Sequence, residues 1–348
     1  MSAGRSDLAD RLRRLRGPNN EGVLALILLV LIIGMSIANP VFFTLPTAFS
    51  IMRSAIVPLI FALGVLLVII SGGIDVSFAA IAVFAAYTTV RVYGSGAIDL
   101  GLIGAFVMAL VIGALLGAIN GFLIARFRLP TLIVTLGTQG IFKGVLLTYV
   151  GSRYIADLPD AMSWVSTTNL IEVTTDTGRA YLHVMVVPAI ALTLLLAWVL
   201  RRTMFGRSIY AIGGDAEAAR RAGIRVVRTQ VWLYVIVGMM ASIGGMIYMI
   251  MGRSASPQEL VGGELDIIAA VVLGGASIFG GRGSVLGTVL GVFLVQVINN
   301  SLILAGVPSA WQRAAVGVLL LVGVGIQAVT ARGSGRAALV HDAQEVTA

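Results

Sequence analysis

The sequence contains no cysteine and few charged residues. Charged side chains make up 11% of its 348 residues, whereas 58% are hydrophobic. A soluble domain carries about 25% charged residues. The absence of cysteine excludes disulfides and thiolate metal sites. A chain this poor in charge cannot coat a soluble core of its size, which indicates that lipid is its solvent.

Residues that carry catalysis are also scarce. His183 and His341 are the only histidines and lie far apart, and Lys143 is the only lysine. The chain lacks the glycine-rich phosphate loop that ends in Gly-Lys-Ser or Gly-Lys-Thr. No Asp, Glu and His cluster has metal-ligand spacing, and no Ser-His-Asp set is indicated. We therefore expect no catalytic residue, no metal, no cofactor and no enzymatic activity in this chain.

Long apolar runs dominate what is present. A helix needs about 20 apolar residues to cross a bilayer, and most of the runs are long enough. The third and eighth are short, at 15 residues each. The runs predict one all-α transmembrane domain over the chain, a polytopic bundle of about ten helices at residues 22–43, 54–74, 76–90, 100–125, 129–151, 180–200, 229–252, 267–281, 283–312 and 314–331.

Arginines mark alternate connections between the runs, at 5–16, 126–128, 201–228 and 332–336. Basic loops stay on the cytoplasmic side, so both termini are expected there and 152–179 is expected to be an external loop. This distribution explains the net charge of +8 without a nucleic-acid partner. A secretory signal is the alternative for the first run, but we favour an uncleaved helix because the run is long.

A carboxylate lies between the second and third runs, in Ser71-Gly72-Gly73-Ile74-Asp75-Val76-Ser77. A charge at that position is costly unless it is paired or hydrated. Asp75 and Ser77 are suited to capping the start of the third helix. The alternative is that Asp75 lines a polar path or braces the cytoplasmic end of the bundle.

The basic connection contains a short helix with its own start and stop signals, between Ala211 and Ile224. Asp215 is the expected N-cap, arginines fill the last turn, and Gly223 ends the helix. This helix is either a solvated connector or a rigid knob that an energy-supplying partner can grip.

These two segments and a third, Val272-Leu273-Gly274-Gly275-Ala276-Ser277-Ile278-Phe279-Gly280-Gly281-Arg282-Gly283-Ser284, together resemble the ribose-type permeases of bacterial ATP-binding cassette importers. The resemblance covers roughly residues 42–327 in the same order. The family's first motif usually reads G-G-I-D-L-S-V-G, and this chain has Val76 for Leu and Phe78-Ala79 for Val-Gly.

The resemblance implies a sugar-importing role in the bacterial cytoplasmic (inner) membrane. Two permease subunits, identical or paralogous, form the pore within membrane lipid. A periplasmic or lipid-anchored solute-binding protein delivers the solute, and a separate ATPase with two nucleotide-binding cassettes supplies energy. The segment 215–223 matches the family's coupling helix, whose ATPase-coupling residues here are Gly214, Asp215, Glu217, Ala218, Ala219, Arg220 and Gly223.

Two echoes between the halves predict an inverted repeat of five helices each. A Gly-Gly and an Asp precede both short runs, and Asn120 in the fourth run is echoed by Asn299 and Asn300 in the ninth. Broken segments at matching positions mark a transport path. A sugar conduit needs sparse polar groups, for which the expected residues are Asp75, Ser77, Asn120, Gln139, Gln296, Asn299 and Asn300.

A secondary transporter driven by an ion gradient is the alternative function. That class displays several ionisable groups deep in the membrane, and Lys143 and Glu264 are the candidates here. The sequence leaves the solute open among pentoses, hexoses, sugar alcohols and related furanoses.

Overall fold

The computed structural model describes residues 21–260, 262–308 and the single positions 311, 314, 317, 318 and 321. The arginine-rich start of the chain and most of the predicted tenth span, 314–331, lie outside the described residues. The described helices are α1 Glu21–Ala38, α2 Leu45–Ile70, α3 Phe78–Gly94, α4 Gly101–Phe127, α5 Thr131–Val150, α6 Asp160–Ser166, α7 Val186–Arg202, α8 Met204–Gly214, α9 Ala216–Arg221, α10 Val226–Gly252, α11 Glu264–Leu273 and α12 Val285–Leu304. A 3₁₀ turn, Pro40–Phe43, precedes α2.

Six of these helices, α1, α2, α4, α5, α10 and α12, are long and apolar enough to cross a membrane. Helices α7 and α8 count as a seventh span if this pair, bent by 72°, is one broken span. The apolar helix α3 has 17 residues and α11 has 10. The prediction of an α-helical polytopic membrane protein is therefore confirmed.

A β-hairpin interrupts the helical pattern in the segment expected to be an external loop. Strands β1 Asn169–Thr175 and β2 Gly178–His183 pair antiparallel, and Gly178 adopts a φ of +133° at the turn. Because β2 takes up the start of the predicted sixth run, 180–200, helix α7 begins only at Val186. The sequence analysis did not predict this hairpin, although β1 is rich in β-branched residues.

Helices α2 and α10 are buried along most of their length and form the centre of the bundle. Glycines allow the backbones of α4 and α10 to come into direct contact. A Cβ added to Gly117 would lie 2.2 Å from the carbonyl oxygen of Tyr234, and one added to Gly238 would lie 2.1 Å from that of Gly113. Close approach through small residues drives helix association in lipid.

Non-helical backbone precedes the short helix α3 and follows the short helix α11. No helix or strand covers residues 71–77, between α2 and α3, and Gly72 in this stretch adopts a φ of +85°. Helix α11 ends at Leu273, where a Cβ on Gly274 would lie 2.5 Å from the carbonyl oxygen of Gly287. The predicted run 267–281 is thus helical only in its first half, and Gly274 at the end of the helix packs directly on α12.

Candidate functional site: a polar cavity and a capped helix

A cavity of about 720 Å³ lies between α2, α10, α11 and α12. Its apolar wall includes Val57, Phe61 and Met251. Its polar side chains are Ser50, Arg53, Ser54, Tyr248 and Gln296. A mostly apolar enclosure with a few hydrogen-bonding groups is the usual composition of a small-molecule site.

A second cavity of about 130 Å³ adjoins the first. Pro58, Gly263, Ile267 and Gln296 line both, so the two cavities are neighbours that share a wall formed by α2, α11 and α12. The smaller cavity also contacts Asn299. The side-chain oxygen of Asn299 is buried and has no hydrogen-bond partner in the part of the chain that the structure describes. This amide therefore offers an unused acceptor beside the cavity.

Arg53 carries the positive charge on the wall of the larger cavity and is held by the hairpin. Its guanidinium donates to the Tyr181 hydroxyl at 2.6 Å and stacks over the Tyr181 ring at 5.0 Å. The stacking and the hydrogen bond fix the guanidinium against β2. The hairpin is thus attached to the residue that lines the cavity.

The predicted path residues separate into three groups. Gln296 and Asn299 line the cavities. The second group, Gln139 and Asn300, lines neither cavity. Gln139 donates to Glu264 Oε1 at 2.7 Å, while Glu264 Oε2 accepts from the Gly262 amide. Asn300 has a buried side-chain oxygen without a partner among the described residues.

The third group, Asp75, Ser77 and Asn120, forms a buried hydrogen-bonded chain. Asp75 Oδ1 accepts from the Ser77 amide at 2.7 Å and from the Ser77 hydroxyl at 2.6 Å. That hydroxyl accepts from Asn120 Nδ2 at 2.8 Å. All three side chains are at most 1% exposed. The arrangement ties the start of α3, whose N-cap is Ser77, to α4. None of the three residues lines either cavity.

We expect Asn120→Leu to lower stability, because it removes the hydrogen bond that α4 donates to Ser77 Oγ while keeping approximate volume. Loss of a partner for a buried polar group costs about 1–3 kcal/mol. Thermal unfolding in detergent should show a lower midpoint, with Gln258→Leu on an exposed turn as the control. An unchanged midpoint with reduced transport would instead place Asn120 on the path.

Sequence reasoning missed Arg53, Tyr248 and the serines near Arg53 as cavity residues. Two signals were available in α2. Arg53 precedes the second apolar run, and Pro58 lies inside the helix and lines both cavities. Ionisable residues and prolines in a membrane helix mark positions beside a cavity or another helix.

The short helix predicted between Ala211 and Ile224 is present as α9. Asp215 Oδ1 accepts from the Glu217 and Ala218 amides at 2.8 and 3.0 Å, and Gly223 adopts a φ of +88° after the last turn. Asp215 therefore caps the start of α9 and Gly223 follows its end, as the sequence predicted.

Charged side chains cover the exposed face of α9. Glu217 pairs with Arg220 and with Arg221, whose Nε lies 3.6 Å from Glu217 Oε1. The hydrogen bond from Arg220 lowers the pKa of the Glu217 carboxyl below its ordinary value. Ala218 is exposed between these charges, whereas Ala219 is only 4% exposed and faces the fold. A partner approaching α9 would therefore meet Glu217, Ala218 and Arg220.

Comparison of the sequence with known proteins finds a matching family and similar relatives. The family model described as "Branched-chain amino acid transport system / permease component" matches residues 47–324. Two similar proteins are the autoinducer 2 import system permease proteins LsrC of Yersinia pseudotuberculosis and Yersinia pestis. Each is 33% identical over 303 residues, which cover 87% of this chain and 83% of the relative. No solved structure matches the chain.

Proposed function

The chain belongs to the family of branched-chain amino acid transport system permease components, and from this premise we propose which solute it passes and by which route. The resemblance to importer permeases is confirmed by this membership. The chain is a membrane permease subunit of an ATP-driven importer and is not itself an enzyme. ATP hydrolysis belongs to a separate ATPase, and a solute-binding protein supplies the solute.

The proposed solute is a small polyhydroxylated molecule of the sugar or autoinducer 2 type. Such a molecule needs several hydrogen-bond partners, yet a conduit must also release it. The amides of Gln296 and Asn299 beside the two cavities provide partners for hydroxyl groups, and Arg53 and Asp266 add one charged side chain to the wall of the larger and of the smaller cavity. The position of Gln296 on the wall of both cavities is the observation that carries this proposal. The similarity to autoinducer 2 importers supports the same solute class.

Calorimetry on the cognate solute-binding protein tests the solute class. The panel contains ribose, a hexose, a sugar alcohol and autoinducer 2, with leucine as the branched-chain amino acid control. We expect heat of binding from at least one sugar-like member and none from leucine. Leucine binding without sugar binding would contradict the proposed class.

The proposed coupling element is α9. Its exposed face would dock on the ATPase through Glu217, Ala218 and Arg220, with Gly214, Asp215 and Gly223 setting the ends of the helix. Ala219 supports this surface from inside the fold, because it is buried rather than presented to a partner. A rigid, capped helix transmits force better than a flexible loop of the same length.

The proposed topology has ten spans in two inverted halves, with both termini in the cytoplasm. A second copy of the chain or a paralogue would complete the pore. The clustering of arginines at alternate connections supports the orientation. The short α3 and α11, each beside a Gly-Gly, support the repeat.

Single-cysteine labelling checks the orientation directly, because the native chain has no cysteine. Thr177 at the turn of the hairpin and Ala216 at the start of α9 are both exposed. A membrane-impermeant maleimide added to intact cells should label Thr177→Cys, and should label Ala216→Cys only after permeabilisation. Labelling with the two positions exchanged would overturn the orientation.

A further inference from the structure

Three segments meet through glycine backbone near the start of α9. They are the end of α2 with Gly72, the end of α8 with Gly213, and the connection between α11 and α12 with Gly280 and Gly281. A Cβ added to Gly213 would lie 1.7 Å from the carbonyl oxygen of Ile70, and one added to Gly280 would lie 2.5 Å from that of Gly213. We call Gly72, Gly213, Gly280 and Gly281 the glycine junction.

Hydrogen bonds fasten the glycine junction. The Gly281 amide donates to the carbonyl oxygen of Ile70 at 2.8 Å, which satisfies an acceptor left open by the end of α2. The Tyr210 hydroxyl of α8 donates to the carbonyl oxygen of Gly283 at 2.8 Å. Each of the two bonds joins a helix end to the connection between α11 and α12.

The segments that meet at the junction lead to the two functional regions. Gly213 is two residues before Asp215, the N-cap of α9. Helix α2 lines the larger cavity with six residues from Ser50 to Phe61, and α11 contributes Ile267 to both cavities. The end of α8, which leads into the proposed ATPase-docking helix, thus contacts the end of α2 and the connection after α11 at one point.

We infer that the glycine junction is the element that passes movement of α9 to the cavity helices α2 and α11. This inference rests on the proposed function of α9. Backbone packed against backbone has no side chain that can change rotamer and absorb a displacement. Tightly packed elements transmit strain, so a shift of α8 and α9 has to move the end of α2 and the connection after α11. Gly213 and Tyr210 are positioning residues in this account.

The test compares transport with ATP hydrolysis in proteoliposomes that contain the permease, its ATPase and its binding protein. The probe is autoinducer 2, or the panel sugar that the binding protein binds. We expect Gly213→Ala to keep the ATPase bound and hydrolysing ATP, while solute transported per ATP falls by about 10-fold. With Gly213→Ala present in membranes at the wild-type level, a purely structural role would lower uptake and hydrolysis together, and that result would overturn the inference.

Tyr210→Phe covers the case in which Gly213→Ala fails to insert, since it removes only the bond to Gly283. It should also lower transport per ATP. Ser208→Ala on the same helix removes a bond that stays within α8, and Gly34→Ala adds a methyl group where no atom lies within 4 Å. Both controls should keep the wild-type ratio.

The outcomes separate this inference from the function on which it rests. Wild-type transport per ATP in Gly213→Ala or in Tyr210→Phe, with the ATPase bound, would overturn the inference alone. Retention of the ATPase by a permease with a disrupted α9 surface would instead overturn the proposed function of α9.

Discussion

Replacing the exposed Ala218 of α9 by Trp is expected to reduce the ATPase that copurifies with the permease by about 100-fold. Ala218 lies between Glu217 and Arg220 on the exposed face of the helix, and a large ring there prevents close approach of a partner. A clash at the centre of an interface costs several kcal/mol, and about 2.8 kcal/mol corresponds to 100-fold in affinity. Quantitative copurification from membranes measures the effect.

The same substitution at Ala97 is the control for Ala218→Trp. Ala97 is also exposed, in the connection between α3 and α4, on the opposite side of the membrane in the proposed topology. Ala97→Trp should retain the ATPase at the wild-type level. Wild-type copurification with Ala218→Trp would remove α9 from the docking surface.

Gln296→Trp is expected to lower uptake to the background rate while the complex still assembles. Gln296 lines both cavities, and an indole in place of its amide would occupy volume in the wall that they share. Gln296→Leu keeps approximate volume and removes the hydrogen-bonding amide. It should reduce uptake by about 5-fold, since one hydrogen bond contributes about 1 kcal/mol.

Uptake assays on membranes with matched permease content provide this measurement. Gln258→Trp, on the exposed turn after α10, is the control and should transport normally. Normal uptake by Gln296→Trp would show that solute passes elsewhere, and the two cavities would then be packing defects of the bundle.

The sequence predicted an α-helical membrane bundle because long apolar runs have few alternatives in lipid. Observed ends of α4, α5 and α10 lie within three residues of the predicted runs at 100–125, 129–151 and 229–252. The ends of α9 followed from local signals, an N-cap aspartate and a terminal glycine. Such signals depend on neighbouring residues and need no tertiary information.

Tertiary placement was harder to predict from the sequence. Asn120 and Asn299 were expected to play equivalent roles, yet Asn120 is bonded inside the bundle and Asn299 lies beside a cavity. Ala219 was expected on the docking face and is buried. Which face of a helix is covered depends on its neighbours, and uniformly apolar helices carry little amphipathic pattern that would reveal it.

Strand pairing in the hairpin was missed for the same reason. The segment 152–179 has the polar composition of a loop, and its pairing with residues up to His183 depends on contacts across the turn. The link from Tyr181 to Arg53 joins residues that are 128 positions apart. Spacing along the chain carries no signal for a contact of this kind.

The energy source of uptake tests the central claim most directly. The permease is reconstituted in proteoliposomes with its ATPase and binding protein, and uptake of autoinducer 2 or the panel sugar bound by that protein is followed with and without internal ATP. The account predicts uptake that requires ATP and the ATPase and that persists when ionophores collapse proton and sodium gradients. Uptake by the permease alone, driven by an imposed ion gradient and abolished by the ionophore, would contradict it.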